Sequence, residues 1–155
     1  MRFRHSFRLP VSQTTAAGFH SQASRLAATT PPLMPMRLQY AQEPMADSDE
    51  TAFTMWLGPI PVSWVARVQD VTASGFADRQ QAGPLETWIH CHTFLKESEG
   101  TTIIVDEIEA ELKRHPVWGP VGLAMWLGLP LLVVYRGWSV RRMLVAHQPD
   151  TGSED

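Results

Sequence analysis

Two histidines one residue apart, His90 and His92, stand between Asp78 upstream and Asp106 downstream. Imidazole titrates near neutral pH, so either histidine could move a proton, and a neighbouring carboxylate would orient its ring. His90, His92 and Asp106 are therefore the candidates for catalysis. Two histidines and a carboxylate also form a loose metal-ligand set. The His-x-His spacing is common, however, and spacing alone fixes no third ligand, so neither a metal nor a cofactor is expected. The plainer reading is a polar cluster whose members satisfy one another, as buried polar groups usually do. That reading, with a role in orienting a ligand, is preferred to proton transfer, and no catalytic residue is assigned.

The elements that must hold these residues are strands. Strand side chains alternate between faces, so Phe76, Asp78 and Gln80 share one side of one strand. Trp88, His90, His92 and Phe94 share a side of the next, and Thr102, Ile104, Asp106 and Ile108 a side of the third. A hairpin symmetric about the polar 96–100 turn would place His90 beside Asp106 and Trp88 beside Ile108. A face that mixes large apolar groups with His, Asp and Gln suits a ligand cavity better than a dry core, where unpaired polar groups are costly. The expected ligand-binding set is Trp64, Phe76, Asp78, Gln80, Trp88, His90, His92, Phe94 and Asp106. Trp56, Met34 and Met36 are further wall candidates. Cys91 points to the opposite face, and we expect a structural thiol against a packed helix rather than a nucleophile.

Upstream, Phe3, His5, Phe7 and Leu9 alternate with Arg2, Arg4, Ser6 and Arg8, the pattern of a first strand. Ser12 is a plausible cap for a short or broken helix over 12–28, with Phe19, Ala23 and Leu26 inward. The prolines of the TTPPLMP run exclude helix. Strands follow over 36–42, 52–57 and 60–71, the last with Ile60, Val62, Trp64, Ala66 and Val68 on its apolar face. Residues 117–135 carry no charge, and Trp138, Met143 and Leu144 then alternate at helical spacing with Arg136, Arg141 and Arg142. This predicts a long C-terminal helix that ends near residue 147. Its uncharged part nearly reaches the ~20 residues of a membrane span. Two prolines, three glycines and the strands' need for a partner favour a packed helix instead, with peripheral membrane contact through 117–135 left open by Trp118, Trp126 and Trp138.

The chain has 155 residues and a net charge of −3, which bounds it to one domain without the basic footprint of a nucleic-acid binder. We assign residues 1–147 to that domain and 148–155 to a disordered tail. Five arginines precede the first acidic residue, as in a transit peptide, but the period-2 alternation favours the strand. With one cysteine and no secretory signal, a cytoplasmic protein is expected, with membrane association open. The oligomeric state is not readable.

Three segments carry a family likeness: FRHSFRLPVS with TPPLMPMRL, the motif F-x-D-x-Q-x-x-G-P-x-x-x-W-x-H-x-H-x-F from Phe76 to Phe94, and TTIIVDEIEAEL with YRGWSVRRML. The chain resembles the START-like, Bet v 1-like (SRPBCC) superfamily, particularly its small polyketide cyclase/dehydrase-like and cell-division-inhibitor-like members. The resemblance covers about residues 1–146. It implies an α+β helix-grip fold: a curved antiparallel sheet of about seven strands around a long C-terminal helix, with one or two short helices after strand one. It also implies an apolar cavity for a small hydrophobic ligand such as a lipid, quinone or aromatic polyketide, and no single reaction. Three functions follow as expectations: a carrier or accessory protein, a cyclase/dehydratase with a cavity histidine as general base, and a membrane-associated interaction module that uses residues 117–135. Some relatives are fused to an epimerase-like dehydrogenase, which makes such a protein a partner to consider. The chain departs from the subgroup in its uncharged helix.

Overall fold

The computed structural model describes residues 1–146. Every strand pairs antiparallel with its neighbour in one seven-stranded sheet. In chain order the elements are β1 (Arg2–Leu9), α1 (Gln13–His20), α2 (Ser24–Ala28), β2 (Met36–Tyr40), β3 (Glu50–Leu57), β4 (Ile60–Thr72), β5 (Gly75–Ala82), β6 (Leu85–Ser98), β7 (Thr101–Leu112) and α3 (Trp118–Ala146). Strands β2 to β7 form a meander. β1 closes the far edge by pairing with β7, and α1 and α2 carry the chain across to the opposite edge at β2. This is the helix-grip arrangement, with α3 against one face of the sheet.

Local chemistry accounts for the elements. Ser12 Oγ accepts the Thr15 backbone N–H at 3.2 Å and starts α1. The helical stretch breaks after His20 and resumes at Ser24. On β4, Val62, Trp64, Ala66 and Val68 are buried, whereas Ile60 at the strand's start is exposed. The expected ends of β2 and β3 shift by two residues, to Tyr40 and Glu50. The proposed tail at 148–155 and the helix end near residue 147 lie outside the described residues.

The 96–100 turn differs from expectation. Only Glu99 and Gly100 form it, with an irregularity between Lys96 and Ser98. The longer strands move the register by two residues, so His92 faces Asp106 and His90 faces Ile108. Near the same end of β6, where Gly75 pairs with Thr93, glycine is required by contact. A Cβ there would lie 2.1 Å from the His92 carbonyl oxygen.

Among the described residues α3 is the helix long and apolar enough to cross a membrane, and it packs on the sheet. Its own Val121, Leu129, Val133 and Val140 are buried. Gly122 lets it sit close: a Cβ would meet Leu85 at 2.9 Å. Pro120 falls in the first turn, where the backbone N–H groups lack helical partners anyway. Leu123, Leu127, Leu131, Val134 and Trp138 form an exposed stripe on the other side. Of the three tryptophans proposed for an interface, Trp118 and Trp126 pack into the core and Trp138 alone is exposed. The expected alternation is thus reversed at 136 and 138, with Arg136 inside. Cys91 lies opposite Ala77 and Glu107 on the sheet face away from α3, not against a helix.

Candidate functional site

Between the sheet, α1, α2 and α3 lies a cavity of about 220 Å³. Its wall is mostly apolar. Phe53, Met55, Leu57, Trp64, Ala66 and Trp88 come from β3, β4 and β6, while Met125, Leu129 and Leu132 come from α3. The aromatic rings brace one another: Phe53 stacks on Trp64 at 6.0 Å between centroids, and Trp88 meets Trp64 edge-on at 5.4 Å.

One end is polar. The β5–β6 register sets Asp78 opposite His90 and Phe76 opposite His92, and β6–β7 sets His92 opposite Asp106. His90 Nε2 lies 3.1 Å from Asp106 Oδ1, a hydrogen bond in which the ring N–H donates. His92 Nδ1 is 2.8 Å from the same oxygen, but its N–H is not aimed along the contact, which is an ion pair rather than an aligned hydrogen bond. Facing the other way, His90 Nδ1 and His92 Nε2 are 3.7 and 3.5 Å from Asp78 Oδ2. The two imidazoles therefore sit between two carboxylates, with ring centroids 3.9 Å apart.

Electrostatics separate the two rings. Burial would lower the pKa of His92, but its contacts with Asp106 and Asp78 overcome this and raise it to about 9. Burial, then the charge on His92, lowers that of His90. For Asp106 and Asp78, burial would raise the carboxyl pKa, yet both are held below the ordinary carboxylate range. The histidines do this for Asp106, and the histidines and Arg136 for Asp78. At neutral pH the cluster is two carboxylates around one imidazolium and one neutral imidazole.

Sequence reasoning missed two members. His20, at the end of α1, lines the cavity with its ring 6.1 Å from that of His92. Burial and the His92 charge lower its pKa to about 4. Its Nδ1–H donates to the Ala16 carbonyl at 2.8 Å, leaving Nε2 as a bare acceptor. Arg136 reaches in from α3. Its Nη2 donates weakly to Thr30 Oγ1 at 3.4 Å, and its Nε is buried without a partner. Arg136 lies seven residues after Leu129 and three after Val133, so helical periodicity from those buried residues could have found it. No comparable pattern marks His20.

Other expected wall residues lie elsewhere. Gln80 turns to the β5–β6 connection, where its Nε2 donates to the Leu85 carbonyl at 2.7 Å. Phe94 is buried in a separate core cluster with Leu9 and Ile104. Asp106 lies behind the histidines rather than in the wall, Met36 packs into the core, and Trp56 takes the face opposite Phe53 and Met55. Trp64, Phe76, Asp78, Trp88, His90, His92 and Met34 do line the cavity.

No protein-family model matches the chain, and no curated protein matches its sequence. Solved structures do. A START superfamily protein from Mycobacterium smegmatis superposes with a TM-score of 0.71 at 10% identity, covering 95% of this chain and 99% of that one. Norcoclaurine synthase from Thalictrum flavum, in complex with dopamine and hydroxybenzaldehyde, gives 0.70 at 12% identity over 97% and 89%. The Zhui aromatase/cyclase from a Streptomyces gives 0.70 at 11% identity over 96% and 99%. At these identities the likeness shows the fold: this chain has the START/Bet v 1-like fold.

The titrations give stability a peak. Between pH 4 and 6.5 the unfolded chain binds a proton that buried His20 does not, so stability falls as pH falls through this window. Between 6.5 and 9 folded His92 holds a proton that the unfolded chain has released, so stability falls as pH rises. Thermal unfolding of chelator-treated protein should therefore show the highest Tm near pH 6.5. His92→Gln should flatten the alkaline limb, and His20→Gln should make the acid limb shallower, with buried His90 supplying the rest of it. Limbs unchanged in these variants would refute the assignment.

Proposed function

We propose that this protein binds a small, mainly apolar molecule of one or two rings, with the molecule's polar end set against Asp78, His90, His92 and Arg136. The observation that carries this reading is a cavity with aromatic and aliphatic walls and one concentrated polar end. Ligand pockets are commonly built in this way, with few polar groups fixing orientation. The volume narrows the ligand class. About 220 Å³ is roughly one and a half times the ~150 Å³ cavity that takes up benzene. That suits a phenolic or bicyclic aromatic better than a whole phospholipid or a long-tailed quinone. The solved norcoclaurine synthase of this fold, complexed with two small aromatic molecules, supports the same range. Protonated His92 and Arg136 would favour a phenolate, enolate or carboxylate on the ligand.

A second reading is an enzyme, and the electrostatics change its assignment of roles. His92 is protonated at neutral pH and is suited to be the acid, whereas neutral His20, with Nε2 bare, is the acceptor. A pair of titratable groups driven apart in this manner is the usual arrangement for acid/base chemistry. The two readings separate on His20→Gln. Turnover of a genuine substrate should fall by about 100-fold or more if His20 is a base, and an unchanged rate would remove it from that role.

The binding reading is tested with 2-naphthol as the probe, by calorimetry or tryptophan fluorescence. Ala66 is buried and lines the cavity, so Ala66→Leu fills space that a ligand would use at a modest packing cost. The folded variant should bind 2-naphthol at least about tenfold more weakly, a change of ~1.4 kcal/mol. Equal affinity would place the probe elsewhere, and no binding to either protein would count against an aromatic-sized ligand.

A further inference from the structure

We propose that Asp78, His90 and His92 form a site for a divalent first-row transition-metal ion, zinc or iron(II) in type, with its free positions toward the cavity. Spacing along the chain supplies only the two histidines. The fold adds the third ligand, because the β5–β6 register places Asp78 opposite His90 on the same sheet face. Asp78 Oδ2 is 3.7 Å from His90 Nδ1 and 3.5 Å from His92 Nε2, and one donor atom from each residue lies within 4.8 Å of the others. An ion with bonds of ~2.0–2.2 Å in tetrahedral geometry needs its ligand atoms roughly 3.4 Å apart. The two measured edges are within a few tenths of an ångström of that separation.

The far side of each ring strengthens the assignment. Metal-bound imidazoles almost always present their second nitrogen to a carboxylate or carbonyl, which fixes tautomer and ring direction. Here one oxygen, Asp106 Oδ1, serves both rings, at 3.1 Å from His90 Nε2 and 2.8 Å from His92 Nδ1. His90 Nδ1 and His92 Nε2 are left facing Asp78.

The donor set selects the ion. Two imidazoles and one carboxylate, without thiolate, suit zinc, iron(II) or cobalt(II) rather than copper(I), and are too nitrogen-rich for magnesium or calcium. Three protein ligands leave coordination open, as in catalytic rather than structural sites. Asp78, His90 and His92 all line the cavity, so the open positions face the space assigned above to a ligand. Arg136 lines the same space and is placed to hold an anionic oxygen that also touches the ion.

The test uses the metal alone and so does not depend on the organic ligand. Full-length protein treated with chelator and then freed of it is titrated with Co²⁺, followed by visible absorption and calorimetry. The expected result is one equivalent bound with d–d absorption, displaced by Zn²⁺. Asp106→Asn, which removes only the carboxylate behind the rings, should weaken binding by about 10–100-fold. Asp78→Asn, a near-isosteric change that keeps the fold, should weaken it at least as much. No d–d absorption would overturn the proposal. So would Co²⁺ binding that both variants leave unchanged, since the ion would then lie elsewhere on the chain.

Discussion

The structure depends on neutralising two aspartates that the sheet forces out of water. Asp78 and Asp106 both project from the concave face beneath a helix that has no charge before Arg136. Leaving such charges unpaired is among the most expensive things a protein interior can do. Protonated His92 and Arg136 bring the local sum to zero, with His90 and His20 neutral. The raised pKa of His92 and the depressed values of the carboxyls and of His20 are expressions of that one balance.

The sheet makes this balance reproducible. Antiparallel pairing fixes which residues face each other, and period-2 alternation puts all four cluster residues on one side. Gly75 permits the β5–β6 pair to close beside His92, where any side chain would strike a carbonyl. The apolar remainder of the cavity then raises the worth of each polar contact, because little water competes there. A ligand entering this space exchanges its own polar end for contacts already held in position.

Much of this was legible in the sequence. Alternation along 76–112 correctly grouped Asp78, His90, His92 and Asp106 on one face, and the uncharged run was a helix packed on the sheet. Register was not legible. A turn of two residues rather than five, with an irregularity beside it, shifts the β6–β7 pairing by two positions without changing which face each residue takes. Parity survives such a shift; partners do not. Side-chain direction within a face was equally hidden. Gln80 shares parity with Asp78 yet bends to the Leu85 carbonyl, and Phe94 shares parity with His92 but lies beyond the cavity's end. Arg136 lies inside although it alternates with Trp138 in the sequence, because its spacing from buried Leu129 and Val133 turns it inward.

A double-mutant cycle on His92→Gln and Asp106→Asn, measured by denaturant unfolding at pH 6.5 in chelator, tests the buried charge balance most directly. If the two side chains act as one ion pair, the cycle should return a coupling of about 1 kcal/mol or more, within the range found for contacting groups. Losses that add to within ~0.3–0.5 kcal/mol, the behaviour of independent sites, would mean that His92 and Asp106 do not hold each other, and the account of the site would fail with them.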